Sequence, residues 1–253
     1  MTALDSAWQP LADGLARRNG AGRAARFWLR DDDAVEPTDA LDRLLGLSGA
    51  FAVPVTLAVI PALTGDALAD RLQTEPLASV AVHGWSHRNH APEGQKKQEL
   101  GTHRPRATVL DELAQGLSRL AGLYGARAMP MLAPPWNRID ARLIPDLVPL
   151  GFKALSVYGP PQPAPIRMLN SNVDLMDWHG SRGCRDHAEL VNDIVAQLGR
   201  DFDDTDAAVG LLTHHLVHDQ AAWSFLARLF ELSLRSGAGW LAANALLDMG
   251  DQV

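Results

Sequence analysis

The chain has 253 residues, 47% of them hydrophobic, and a formal net charge of −7. That length and apolar content suit one domain, 1–253, with a sizeable core and residues 1–22 as an N-terminal helix laid on it, and the acidic balance argues against a nucleic-acid partner, which needs a basic stripe to neutralise phosphates. The one cysteine, Cys184, excludes an intramolecular disulfide and a thiolate metal cluster; with no basic-then-apolar leader over Met1 to Trp8 and no stretch near eighteen uninterrupted apolar residues, the expectation is a soluble, cytoplasmic protein with no membrane partner.

Leu4, Trp8, Leu11 and Leu15 recur at spacings of three and four, which predicts an amphipathic helix over about residues 3–18. Arg26 to Arg30 reads as a strand ending in Asp31-Asp32-Asp33. Three adjacent carboxylates repel one another unless a cation or a basic partner is near; a solvated turn that caps a helix at Pro37-Thr38-Asp39 is the alternative, disfavoured because a strand end is also a favoured ligand position. A helix over 37–48, an apolar strand over 53–60, a helix over 65–73 and a strand over 77–82 follow. The near-continuous apolar runs predict a parallel sheet covered on both faces.

The strand before His83 opens into His83-Gly84-Trp85-Ser86-His87. Two histidines four apart, if held on one helical turn, can bring both ring nitrogens to a single ion, and neutral imidazole is the commonest metal ligand; two surface histidines are the equal alternative for the pair taken alone. The polar stretch 88–106 is long enough to be a lid or binding loop. A helix over 107–122 precedes Met129 to Ala133 and the rigid Pro134-Pro135-Trp136-Asn137-Arg138, where the prolines forbid strand pairing and the indole offers an apolar wall. A helix near 139–148, a strand near 152–157 and a stiff Pro-rich connection over 159–165 lead to Val173-Asp174-Leu175-Met176-Asp177-Trp178-His179-Gly180, read as strand-like. Residues 186–200 read as a helix, Ala208 to Thr213 as a buried strand delivering His214 and His215, and helices near 219–235 and 239–249 close the chain.

In a closed parallel barrel all these strand ends meet on one rim. One carboxylate with His83 and His87 makes a facial two-histidine, one-carboxylate set with open positions, suited to Zn²⁺ or another first-row divalent ion. An ion held that way lowers the pKa of its water and polarises a carbonyl oxygen. A second carboxylate then serves as general base and His214 as the acid that protonates the leaving group, which together describe amide or ester hydrolysis.

Arg30-Asp31-Asp32-Asp33-Ala34, His83-Gly84-Trp85-Ser86-His87, Ala133-Pro134-Pro135-Trp136, Asp174-Leu175-Met176-Asp177-Trp178 and Leu212-Thr213-His214 resemble, in order, the five motifs of the polysaccharide deacetylase family, also called carbohydrate esterase family 4 or NodB-homology proteins. The resemblance runs from about residue 26 to 240. It implies an α/β fold, a distorted (β/α)₇ barrel, and metal-dependent N- or O-deacetylation of a sugar or polysaccharide. It also implies Asp32 as base and Asp33 as metal ligand, with Asp31 and Asp32 the competing pair, and His83 and His87 as the other ligands of one divalent ion, Zn²⁺ before Co²⁺, Ni²⁺ or Mn²⁺. Trp136, after Pro135, takes the place where a backbone N–H helps hold the oxyanion and the ring lines the groove. Asp177 is implied to orient His214, and Leu212 to sit near the acetyl methyl.

Two departures stand out. Ala133 occupies the position of an arginine that holds the base, for which Arg30 or Arg138 is the available substitute, and Gly84 stands where the family has Ser or Thr. A hydrolase of another non-peptide C–N bond and a non-catalytic carbohydrate-binding barrel are the alternatives, the second disfavoured because a binder needs no base, acid and three ligands. Cys184 lies beside Arg182 and Arg185, which favours a lowered pKa, but it has no base partner. His90, His103, His179, His187, His215 and His218 are read as solvated or hydrogen-bonded, with His179 and His215 the exceptions nearest the motifs.

Overall fold

The structure is a computed structural model describing residues 3–204 and 207–249. Helices α1 (Ala3–Gly20), α2 (Asp39–Phe51), α3 (Asp66–Leu72), α4 (Arg106–Tyr124), α5 (Ile144–Leu147), α6 (His187–Arg200), α7 (Gln220–Arg235) and α8 (Ala243–Met249) alternate with strands β1 (Arg26–Ala34), β2 (Val55–Val59), β3 (Ala78–Val82), β4 (Ala128–Leu132), β5 (Ala154–Leu155), β6 (Arg167–Met168), β7 (Val173–Asp174), β8 (Val209–Thr213) and β9 (Gly239–Trp240). The strands hydrogen-bond in the order β6-β5-β4-β3-β2-β1-β8-β7, and β9 pairs with β1. The pairs β1–β9, β3–β4, β4–β5, β5–β6 and β7–β8 are parallel. All five residues of β2 and all five of β8 are buried, as a parallel sheet with helices on its faces requires. No helix among the described residues is long and apolar enough to cross a membrane.

The described residues fall into two compact units. Among the described residues the first takes in 3–30, 40–55, 171–204 and 207–249. Here α1 packs on α6 and α7: Trp8, Leu11 and Leu15 are buried, and the Trp8 and Phe225 rings lie 5.0 Å apart. Arg18, itself buried, donates to the Leu198 carbonyl at 2.9 Å and so satisfies a carbonyl at the α6 C-terminus that has no partner within the helix. Asp186 caps α6 by accepting from the Ala188 and Glu189 amides, and Asp219 caps α7 by accepting from the Ala222 amide.

The second unit takes in 31–39 and 56–170. Helix α4 buries Val109, Leu113, Gly116, Leu120 and Tyr124, a stripe at spacings of three and four, and lays it on β3 and β4. The backbone ladder continues past the strand ends, with the His83 amide donating to the Val59 carbonyl at 2.9 Å and the Ala133 amide to the Val82 carbonyl at 2.8 Å. The first residue beyond each of β3 and β4 therefore keeps a ladder hydrogen bond to the neighbouring strand.

Several expected elements take another form. β1 does not stop at Arg30 but runs to Ala34, so the three aspartates lie within the strand and not in a turn. His83 and His87 sit on no helical turn; they flank a bend of loop. The helix expected over 139–148 shrinks to one 3₁₀ turn at Ala141–Leu143 and the four residues of α5, because Pro145 and Pro149 remove amide donors. The strands expected near 152–157 and from 173 shorten to the two residues of β5 and the two of β7. Gly239 and Trp240, read as the start of a helix, pair instead with Arg26 and Phe27, and β6 follows a Pro-rich segment that gave no strand signal.

Phe225 is fully buried between Trp8 and His187, whose ring centroid lies 5.2 Å away. Phe225→Ala is expected to lower the unfolding free energy by about 3–5 kcal/mol; urea denaturation of the two proteins measures the difference.

Candidate metal centre

Three side chains in the second unit converge. Asp33 Oδ1 lies 3.2 Å from His83 Nε2 and 3.2 Å from His87 Nε2, and the potential ligand atoms of the three residues all fall within 4.8 Å of one another. Asp33 comes from the end of β1, His83 from just past β3, and His87 from the loop four residues on. Of the three candidate aspartates it is Asp33, and not Asp31 or Asp32, that groups with the histidines. Asp31 and Asp32 are buried in the strand.

The hydrogen bonds of the group fix how its rings face the carboxylate. His83 is 1% exposed, and its Nδ1 lies 2.8 Å from the Ala133 carbonyl. A carbonyl can only accept, so Nδ1 carries the hydrogen and, in the neutral ring, Nε2 presents its lone pair to the Asp33 oxygen. Two lone pairs at that distance repel unless a proton or a metal ion lies between them. Burial, and then the neighbouring His83, push the His87 pKa below its usual 6.5, which keeps that ring neutral and able to coordinate near pH 7. Two imidazole nitrogens and one carboxylate oxygen are a donor set that a first-row divalent ion accepts.

The backbone is strained at these residues. Asp33 (φ 76°), His87 (φ 58°) and Trp136 (φ 55°) are three of the six non-glycine residues with positive φ among those described, and each such residue costs about 1–3 kcal/mol. At Asp33 the left-handed turn breaks the two-residue alternation of the strand. At Trp136 it occurs inside a single turn, Pro135–Asn137, and brings the indole to 4.4 Å from the His87 ring. Lys97 Nζ lies 5.9 Å from the indole centroid.

Pro135 is buried, and with Glu99 it explains the glycine that departs from the resembled motif. Gly84 has φ +62°, and a Cβ there would stand 2.0 Å from Glu99 Oε2 and 2.7 Å from the Pro135 ring. Glu99 is fully buried, and sequence reading passed over it because it lies in a polar loop with no periodicity. Ala133, in place of an arginine, contributes only its carbonyl to His83. Arg138 donates from its guanidinium to the Lys97 carbonyl at 2.9 Å. Arg30 is fully buried in β1.

In the first unit, His214 follows β8, its ring edge-on to the exposed Trp178 at 4.6 Å, and Leu212 is fully buried and registers with Asp174 across β7–β8. The structure does not bring Asp177 to His214, for no hydrogen bond or ion pair joins them and His214 Nδ1 is buried without a hydrogen-bond partner. Asp177 closes its own turn instead, accepting from the Gly180 amide at 2.9 Å and the Ser181 amide at 2.8 Å. These bonds, the one from Ser181 foremost, hold its pKa below the usual carboxylate value. Trp178 donates its indole N–H to Asp174 at 2.9 Å and is thereby fixed against His214. Of the remaining histidines, His179 and His103 are exposed, His187 meets the Ala221 carbonyl at 3.0 Å, and His218 Nε2 accepts from the His214 amide at 3.4 Å.

No protein-family model matches the chain, and no curated protein does. Solved structures match its fold. A candidate polysaccharide deacetylase from Mycobacterium smegmatis superposes with a TM-score of 0.67 at 16% identity over 90% of each chain. A family 4 carbohydrate esterase from Streptomyces lividans, solved with acetate, gives 0.57 at 15% identity over 85% of this chain and 91% of its own. A peptidoglycan deacetylase from Bacillus subtilis gives 0.58 at 15% identity over 90% and 92%. The chain therefore has the NodB, or carbohydrate esterase family 4, fold, a distorted (β/α)₇ barrel.

Cys184 contradicts the expectation of a lowered pKa. Burial, and then the nearby Asp219 carboxylate, push its thiol up to about 11. At pH 7.5 its reaction with a disulfide reagent is expected to be about 100-fold or more slower than that of free cysteine, and to become comparable once the chain is unfolded; stopped-flow absorbance reads both.

Proposed function

We propose that the protein is a metal-dependent deacetylase that removes acetyl groups from an N-acetylated, or O-acetylated, sugar or polysaccharide. The observation that carries this is the convergence of Asp33 Oδ1, His83 Nε2 and His87 Nε2 on a fold shared with deacetylases of sugar polymers. In this reading the three residues hold one divalent ion, Zn²⁺ first among the candidates. Such an ion supplies Lewis acidity to a water and to the acetyl carbonyl oxygen.

The chain's own groups do the rest. Asp32 takes the proton of the attacking water, and its burial in β1 keeps that carboxylate out of competition with bulk solvent. The Trp136 amide, turned by its left-handed backbone, donates to the oxygen that becomes negative, and its ring walls the site beside His87. Leu212 takes the acetyl methyl. His214 protonates the departing nitrogen, with its ring orientation set by Trp178 and not by Asp177. The protein acts in the cytoplasm as one catalytic domain.

A second reading, hydrolysis of another non-peptide C–N bond, is favoured by Ala133. Without an arginine there, the base is held differently from the resembled enzymes, and fold alone does not fix substrate.

Acetate release from chitooligosaccharides tests the first reading. It is expected to require about one divalent ion per chain, to stop on chelation, to return on adding Zn²⁺ or Co²⁺, and to fall by at least about 100-fold in Asp33→Ala, where a ligand is lost outright. His214→Ala is expected to lose activity while keeping its metal. Bound metal with no acetate released from any acetylated sugar would move the assignment to other amides.

A further inference from the structure

We propose that Glu99 is a positioning residue for the metal centre, acting through the backbone of the loop that carries His87; this rests on the metal-binding reading above. The stretch 88–105 is pinned near its base: the His90 amide donates to the Gln98 carbonyl at 3.0 Å and the Gln98 amide to Asn89 Oδ1 at 2.9 Å. The residue after Gln98 then turns inward. Glu99 Oε2 accepts from the Trp85 amide at 3.1 Å, and Oε1 accepts from the Ser86 amide at 2.8 Å and the Ser86 hydroxyl at 3.0 Å.

A fully buried carboxylate thus receives three hydrogen bonds from two consecutive residues, the two immediately before His87. Such charge-assisted bonds are about twice as strong as neutral ones. They fall where the backbone needs holding, because His87 itself sits at φ +58°, a conformation a histidine leaves when nothing constrains it. Gly84 completes the device. Its missing side chain vacates the volume that Glu99 Oε2 fills, so glycine and carboxylate act as a pair.

The two histidines are then fixed by different means. His83 is set by the β-ladder and by the Ala133 carbonyl, whereas the approach of His87 to Asp33 depends on the turn that Glu99 clamps. Loss of the clamp is expected to release His87 selectively. Gln cannot reproduce it, since its NH₂ group would confront either the Trp85 amide or the Ser86 amide, a donor against a donor.

Co²⁺ titration of the metal-free protein, followed by its visible ligand-field band, tests this alongside near-UV circular dichroism as a check on folding. Glu99→Gln is expected to keep the wild-type dichroism, bind Co²⁺ about 10-fold or more weakly and show an altered band, with Glu99→Ala weaker still, by about 100-fold. A folded Glu99→Gln protein with wild-type Co²⁺ affinity and band would overturn the proposal. Should both variants unfold, Ser86→Ala decides: it removes one of the three bonds, so a loss of about threefold in affinity supports the clamp and unchanged affinity overturns it. A wild-type protein that binds no Co²⁺ would instead remove the metal reading itself, and this proposal with it.

Discussion

The confrontation of Asp33 Oδ1 with two imidazole nitrogens at 3.2 Å each is the constraint from which the rest of the site follows. With Nδ1–H claimed by the Ala133 carbonyl, a neutral His83 ring would set its Nε2 lone pair against that carboxylate oxygen, which is unfavourable unless a proton or a cation lies between them. A divalent cation converts the same arrangement from repulsive to strongly attractive. The arrangement of Asp33, His83 and His87 is one that could hold such a cation.

Two of the three residues in this cluster are held in backbone conformations that L-residues avoid. Asp33 and His87 both have positive φ, and so does Trp136 beside them; such strain persists only where the surroundings over-determine it. Those surroundings are visible. The Ile60 amide donates to the Ala34 carbonyl at 3.1 Å, tying down the residue after Asp33. The β-ladder fixes His83, and Pro135, packed against Gly84, fixes the start of the turn that carries Trp136. His87 lies farther along the loop than His83, and the buried carboxylate of Glu99 accepts from that loop's Trp85 and Ser86 amides.

Much of this was legible in the sequence because parallel strands bury both faces. The runs Val53 to Ile60, Leu77 to Val82 and Ala208 to Thr213 are short, apolar and bounded by polar residues, and they became β2, β3 and β8. The histidine pair and the aspartate triplet were also readable, since chemistry-bearing residues at strand ends are a local pattern. What was illegible is non-local or conformational. Two-residue strands such as β6 and β9 carry too little pattern to register. Which of three adjacent aspartates turns toward the histidines depends on one positive φ. That Asp177 accepts from the amides of its own turn is a local conformational outcome with no sequence period, and Glu99 is illegible because its partners, Trp85 and Ser86, lie across a loop with no periodicity. The pKa of Cys184 went the other way because burial and Asp219 outweigh the flanking arginine.

X-ray absorption at the zinc edge of the Zn²⁺-loaded protein tests the central claim most directly. A shell holding two imidazole nitrogens at about 2.0–2.1 Å and a protein carboxylate oxygen at about 2.0–2.2 Å, losing one imidazole in His87→Ala, is the result predicted here. A shell with sulfur, a shell unchanged by His87→Ala, or failure of the protein to retain zinc at all would contradict it.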